Sequence, residues 1–567
     1  MGALGGADRE AVTRESSVSL ILACALLGLV VFLSYGNALM NDFVWDDRSL
    51  VPAITREHSP DPFAEFAIGR QKMGYFRPVV VFSFLVDDTL WPKRPWGYHL
   101  TNVFLHLAAT LFLYLFLREL TAENALSLAG ALLFAVHPVH TEAVTFVSGR
   151  TDVLCALFYF AALALFALLP RQGRRRGFAG VAAFTLAFFL ALGSKEMAVT
   201  LPAVLPLLLW RRDRPWSRSQ MAAYVSCLAA LLAYLVGRGT VLSGSLDPAF
   251  VFKNLPHALL QIPYALWTYV RLIVVPWPLD PYRDLGQVVT PASRGFLLPL
   301  AGVGCVVALL CLRGRMTARL VLAGFVAFLP VLNIIPTRSA TVADRFLYLP
   351  SAFLLPAVVI AAATLGVRRL SGAVLLAAAS ATLMTGTIVR NRAWHDEITL
   401  WEAKLQASSN RGGGFFKAHL NIGEGLTKAG KYQEALPHFQ EAMNVEEVAE
   451  SAGLRNNLGV ALEGLGRLSE ARKEYLAAVR LEPGYEDARV NLAVANAKEG
   501  RSREAEAQLR ELLRINPGNV DAHNNLGVVL AGQGRVEEAV SHYREALRYE
   551  PDFAQARVNL DKALSKF

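Results

Sequence analysis

The chain has 567 residues, 54% of them hydrophobic and only 18% charged, with a formal net charge of +9; a wholly soluble protein of this length needs more charge to cover its surface and is excluded. Its five cysteines, Cys24, Cys155, Cys227, Cys305 and Cys311, all fall in apolar runs without a CxxC or Cys/His cluster, which excludes a disulfide scaffold and a zinc finger. The excess arginine sits in short links, around Arg171, Arg174, Arg175, Arg176 and Arg211, Arg212, Arg214, Arg218, so it signals membrane topology and no nucleic-acid partner is expected.

In chain order, residues 1–390 read as a polytopic helical membrane domain of about eleven spans, since about 20 apolar residues cross a bilayer. The spans are 18–36, 98–117, 124–137, 151–169, 178–193, 197–210, 220–241, 295–312, 318–333, 346–366 and 370–389. The first runs into Tyr35-Gly36-Asn37 with no A-x-A-like cleavage site, so it is expected to be retained. Residues 258–276 are apolar but interrupted by Pro256, Pro263, Arg271 and Pro276, which points to an interfacial or re-entrant helix. Arg-rich links follow the fourth, sixth, eighth and tenth spans, whereas those after the third and fifth hold only Arg150 and Lys195. The positive-inside rule then puts the N-terminus in the cytoplasm and the C-terminal part outside it, periplasmic in a bacterium or luminal in an endoplasmic reticulum.

A helical connector is expected over 391–415, and 416–567 carries an internal repeat. Pro483, Pro517 and Pro551 are 34 apart, as are Asn457, Asn491, Asn525 and Asn559, and Gly459, Ala493 and Gly527 keep the same register. A first copy with Asn421, Gly423 and Gly430 lies 36 residues before the second. This period is that of tetratricopeptide repeats, so four repeats and a terminal helix are expected to stack as a solenoid, making the whole chain all-α. Asn421, Asn457, Asn491 and Asn525 recur on the first helix of each pair, where an amide that both donates and accepts can hold an extended acceptor peptide. The other reading is that these amides bond to neighbouring helices.

Ionisable residues at membrane edges are functional by default. The outer links collect Trp45-Asp46-Asp47, Gly74-Tyr-Phe-Arg-Pro78, His137-Pro-Val-His-Thr-Glu142, Ser148-Gly-Arg-Thr-Asp152, Gly193-Ser-Lys-Glu196 and Ala343-Asp-Arg-Phe-Leu-Tyr-Leu-Pro350, as though for one site. His137 and His140 do not form a convincing metal pattern, and no metal is expected.

The order of these motifs, with Tyr75-Phe-Arg77-Pro78, Lys195-Glu196 and Arg345-Phe-Leu-Tyr348 ahead of the repeats, resembles the transmembrane and tetratricopeptide repeat-containing O-mannosyltransferases. It is more distantly similar to the protein O-mannosyltransferases. The resemblance implies a GT-C membrane fold, a polyprenyl- or dolichyl-phosphate-linked mannose donor, transfer to Ser or Thr of an exported protein, and a catalytic acid after the first span, here Asp46 or Asp47. Such transfer needs a carboxylate to take the acceptor's proton and cations to hold the departing phosphate, and Arg345, Lys195, Arg150 and, more weakly, His137 are the candidate phosphate ligands. No cofactor beyond that donor substrate is implied. The competing reading is a non-enzymatic membrane-anchored scaffold whose repeats recruit exported partners. An intramembrane protease is disfavoured because no GxSG segment is present.

Overall fold

The computed structural model describes residues 6–55, 77–169, 174–210, 215–241, 248–280, 283, 290–332, 342–366, 368–407, 413–444 and 451–565. It is helical throughout these residues apart from an isolated bridge between Arg283 and Val342. The chain divides into two compact units, Met1–Ala403 and Lys404–Phe567.

In the first unit, seven helices among the described residues are long and apolar enough to cross a membrane. Four shorter apolar helices, Asn124–Val136, Gly177–Leu192, Glu196–Leu209 and Ala258–Val274, accompany them. The elements that carry the site are α1 (Gly6–Tyr35), α2 (Asp47–Thr55), α3 (Pro78–Leu90), α4 (Pro95–Thr121), α5 (Asn124–Val136) and α6 (Arg150–Leu168). Further along they are α7 (Pro248–Val274), α8 (Tyr348–Ala363), α9 (Arg369–Arg392) and α10 (Glu397–Ala407). α3 and α4 each begin with a proline in the first turn, where the missing N–H costs nothing. α7 corrects one expectation: Pro256 and Pro263 lie inside a helix of 27 residues rather than interrupting it. At 1.5 Å per residue it is about 40 Å long.

α6 is the most enclosed of the long apolar helices, with Leu154, Tyr159, Phe160 and Phe166 buried, and α4 packs along it. Leucines on α1 and α9, such as Leu29, Leu370 and Leu375, are exposed, as expected of side chains whose solvent is lipid.

The second unit contains paired helices: α11 (Gly413–Lys428) with α12 (Tyr432–Met443), α13 (Ala452–Gly464) with α14 (Leu468–Leu481), α15 (Glu486–Lys498) with α16 (Ser502–Ile515), and α17 (Val520–Gly532) with α18 (Val536–Tyr549). α19 (Ala554–Leu564) closes the series. Gly430, Gly466, Gly500 and Gly534 take φ of 73°, 75°, 78° and 82° after each first helix. In each case the following N–H donates five residues back, as from Lys431 to Leu426 at 2.9 Å, closing a Schellman turn that needs a left-handed residue. Within the pairs, a Cβ on Gly423, Gly459 or Gly527 would meet the ring of Phe439, Tyr475 or Tyr543 at 2.5 Å. In the third repeat Leu509 replaces the ring, and Ala493 stands where the others have glycine.

Candidate functional site

The acidic turn after α1 is shaped by aromatic side chains. Trp45 has φ 51°, a left-handed conformation that costs a non-glycine residue about 1–3 kcal/mol unless its surroundings impose it. They do: its N–H donates to Glu397 Oε2 at 2.8 Å, and its ring stacks on Phe146 at 5.6 Å and meets Trp401 edge-on at 5.3 Å. Trp401 Nε1–H donates to the other oxygen of Glu397 at 2.6 Å, so one buried carboxylate fastens the turn to α10. Nothing in the sequence pattern placed Glu397 at the acidic turn, because its connection to Trp45 spans about 350 residues of chain.

The turn sends its two carboxylates to different environments. Asp47 is fully buried and accepts from the N–H groups of Val147 at 3.3 Å and Ser148 at 2.7 Å and from the Ser148 hydroxyl. It fastens the segment before α6, and burial pushes its carboxyl up to about 7 against the pull of those donors. Asp46 is exposed, and its charge acts on Arg345.

Arg345 is held twice by buried Glu142, which accepts from its backbone N–H at 2.9 Å and pairs with its guanidinium. Gly149 allows this segment to double back, since a Cβ there would lie 2.4 Å from the Glu142 carbonyl oxygen. The Phe346 ring lies 5.3 Å from the Arg345 guanidinium and 4.9 Å from Lys195 Nζ, a cation–π bridge between the two. Lys195 Nζ donates to both oxygens of Asp152 at 2.6 and 2.7 Å, and Arg77 donates to Glu196 at 2.8 and 3.0 Å. The structure thus gathers Asp46, Arg345, Glu142, Lys195, Asp152, Arg77 and Glu196 into one group of charges. Lys195 and its partner Asp152 are buried, whereas the Arg345 side chain is 24% exposed over a buried Glu142 and Arg77 is partly exposed beside a partly exposed Glu196.

Two expected phosphate ligands lie outside this group. Arg150 is completely buried and pairs with Asp87, while donating to Asn102 Oδ1 at 2.6 Å, the Tyr98 carbonyl at 3.0 Å and the Ser83 carbonyl at 3.2 Å. Its donors are committed to α3 and α4. His137 is also buried; Nδ1 accepts from Val139 N–H at 3.4 Å and Nε2 lies 3.1 Å from the Ile273 carbonyl. Both ring nitrogens are thus engaged with backbone groups, and neither is directed at a bound anion.

The asparagines of the second unit also differ from the expectation of free amides. Nδ2 of Asn457 donates to Glu424, that of Asn491 to Asn456 at 2.9 Å, and that of Asn559 to Asn524 at 2.8 Å, each reaching the preceding repeat. Asn421 donates to the Lys417 carbonyl in its own helix, and Asn525 is half-buried. Where these donors are engaged, they link first helices to one another.

The tetratricopeptide repeat family model matches residues 420–486 and 490–557. The chain is 26% identical to Protein O-mannosyl-transferase Tmtc3 of Drosophila melanogaster, over 84% of this chain and 60% of that protein. It is 28% identical to Protein O-mannosyl-transferase F38B6.6 of Caenorhabditis elegans over 76% and 64%, and 25% identical to Protein O-mannosyl-transferase TMTC3 of Homo sapiens over 80% and 54%. It therefore spans between half and two thirds of these relatives' length. The similarity to these relatives runs through both the apolar helices, seven of which among the described residues are long and apolar enough to cross a membrane, and the tetratricopeptide repeats.

Proposed function

We propose that this protein transfers a sugar, mannose by analogy with the names of its relatives, from a polyprenyl-phosphate donor to a Ser or Thr hydroxyl of an exported protein. The observation that carries this reading is the exposed carboxylate of Asp46, on a turn fastened by Trp45 and Glu397, whose charge acts on the partly exposed side chain of Arg345. Asp46 takes the proton of the acceptor hydroxyl as its oxygen attacks the anomeric carbon, and the bond from that carbon to the phosphate oxygen breaks. Arg345 then faces the departing phosphate, with the Lys195 charge behind Phe346 adding to the field. Asp47 serves as the anchor of the turn rather than as the base.

In this reading the repeats bind the acceptor protein, and the site and the repeats share the non-cytoplasmic side. The test is transfer of radiolabelled sugar from polyprenyl-phosphate mannose to a Ser/Thr peptide by the purified protein, with Asp46→Asn as control. Transfer that disappears in the variant supports the reading. A wild-type protein that binds exported proteins but transfers nothing would make it a scaffold.

A further inference from the structure

The exposed residues of α3 are Phe82, Val86, Thr89 and Leu90. The three hydrophobic ones recur every four positions, one above the other along the helix, and are 59%, 40% and 58% exposed. The Thr89 hydroxyl donates to the Leu85 carbonyl at 2.8 Å, so its hydrogen bond is made within the helix and nothing on this face depends on water. The opposite face is buried. Phe84 packs against Tyr98 with ring centroids 6.4 Å apart, and Asp87 accepts from the Thr101 hydroxyl at 2.7 Å and pairs with Arg150.

With 13 residues α3 is too short to cross a bilayer. Its contacts with Tyr98 and Thr101 nevertheless set it beside the first two turns of α4, one of the helices long and apolar enough to cross. At this end of α4 Trp96 and Phe104 are exposed, so the stripe on α3 continues the lipid-facing surface of α4. The turn between the two helices sets two cations between two indoles. Trp91 and Trp96 pack with centroids 4.8 Å apart, and Gly97 makes room for them, since a Cβ there would lie 2.2 Å from Trp91 Cγ. Lys93 and Arg94 are exposed and have no ion pair among the described residues. Indole rings favour the boundary between acyl chains and headgroups, and cations at that level attract anionic lipid.

We infer that α3 lies in the membrane interface, with Phe82, Val86 and Leu90 against the acyl chains, and that Lys93 and Arg94 bind anionic phospholipid headgroups of the leaflet bordering the acidic turn. An exposed apolar stripe beside a basic, tryptophan-flanked turn is what an interfacial helix requires. Arg77, which donates to Glu196, immediately precedes α3, so the helix seated in lipid also carries one cation of the charged group. None of this depends on the sugar-transfer reading.

The test places p-benzoylphenylalanine at Phe82, at Leu90 and, as a lipid-facing reference, at Phe104 of the full chain. The protein is irradiated in nanodiscs of phosphatidylcholine with a minority of phosphatidylglycerol, and the adducts are identified by mass. Phospholipid adducts are expected at all three positions. At Leu90 the ratio of phosphatidylglycerol to phosphatidylcholine adducts is expected to exceed the bilayer ratio about fivefold, and to fall to that ratio in the double variant Lys93→Gln with Arg94→Gln. Lipid adducts at Phe104 but none at Phe82 and Leu90, or adducts there to the chain itself or to another protein, overturn the interfacial placement. A ratio at Leu90 equal to that of the bilayer, or unchanged by the double variant, overturns the headgroup assignment. So does a double variant that melts well below the wild type in phosphatidylcholine alone, since Lys93 and Arg94 would then hold the fold.

Discussion

His523 and His542 face each other across the fourth repeat with their Nδ1 atoms 3.0 Å apart. His523 Nε2 lies 3.0 Å from the Pro517 carbonyl and so carries its proton there, which leaves His523 Nδ1 to accept from His542 Nδ1–H. The first repeat repeats the pair with His419 and His438 at 3.1 Å, whereas the second and third place Arg455–Glu474 and Arg489–Gln508 at these positions. Each pair needs at least one neutral ring, because two protonated rings would present only donors to each other. Burial and the facing ring lower the pKa of His419 and of His542, the latter with Arg510 opposing protonation and Glu538 and Glu545 favouring it. The unfolded chain therefore binds more protons below about pH 6.5, so stability from these groups is complete above that value and declines as pH falls below it. Hydrogen exchange at α17 and α18 is expected to quicken between pH 7.5 and 5. The double change His523→Arg with His542→Gln, which copies the third repeat, should remove that pH dependence. Exchange that is equally pH-dependent in the double variant would show that other groups control it.

The two adjacent acids of the turn are expected to separate by phenotype. Asp46→Asn should reduce sugar transfer about 100- to 10,000-fold, the usual effect of losing a general base, with little change in melting temperature. Asp47→Ala should instead lower stability by about 1–3 kcal/mol, because it leaves the buried Val147 and Ser148 N–H groups without an acceptor. Asp47→Asn keeps one carbonyl acceptor and should be milder than Asp47→Ala. Parallel activity and melting measurements check this; full activity in Asp46→Asn would move the base to another residue.

Arginine-to-lysine changes are expected to distinguish Arg345 from Arg150. Arg345→Lys keeps the charge near Glu142 but loses the two-pronged fork, so donor KM should rise while the protein stays folded. Arg150→Lys cannot serve Asp87, Asn102 and the Tyr98 carbonyl together, and should lower the melting temperature with donor KM unchanged in the remaining folded protein. The opposite pattern would return Arg150 to the donor site.

The asparagine series should behave as inter-repeat links. Replacing Asn457, Asn491 and Asn559 by Ala is expected to cost about 1 kcal/mol each, seen as earlier melting of the repeats in the full chain. An unchanged melting point together with weakened protein acceptance would assign them to acceptor binding after all.

The arginine asymmetry between alternate links predicts which residues meet the outside. A cysteine at Arg503, in the repeats, should react with an impermeant thiol reagent added to intact cells, and one at Arg368, in the link after the tenth span, should not. Reversed labelling would put the acidic turn on the cytoplasmic side, where no exported acceptor is met.

The sequence by itself determined the all-α class, the apolar helices and the repeat period, because these rest on residue spacings within one or two elements. Gly430 and its equivalents at the helix ends, and Gly459 opposite an aromatic ring, were legible for the same reason: the backbone turn and the close helix contact are local or recur every 34 residues. It also singled out the charged links around Asp46, Glu142, Lys195 and Arg345. What it left undecided was which charges are committed to holding the fold. Asp46 and Asp47 are neighbours in the chain, yet only burial against Val147 and Ser148 makes one an anchor and leaves the other exposed. Arg150 and Arg345 are both arginines in motif-bearing links, and the difference between them is that Asp87 and Asn102 fully enclose the first, while Glu142 leaves the second partly open. Glu397 carried no pattern at all. Its place depends on a contact with Trp45, 352 positions away, and the cost of burying a charge, which decides whether it is a support or a ligand, is set only when such distant segments close around it.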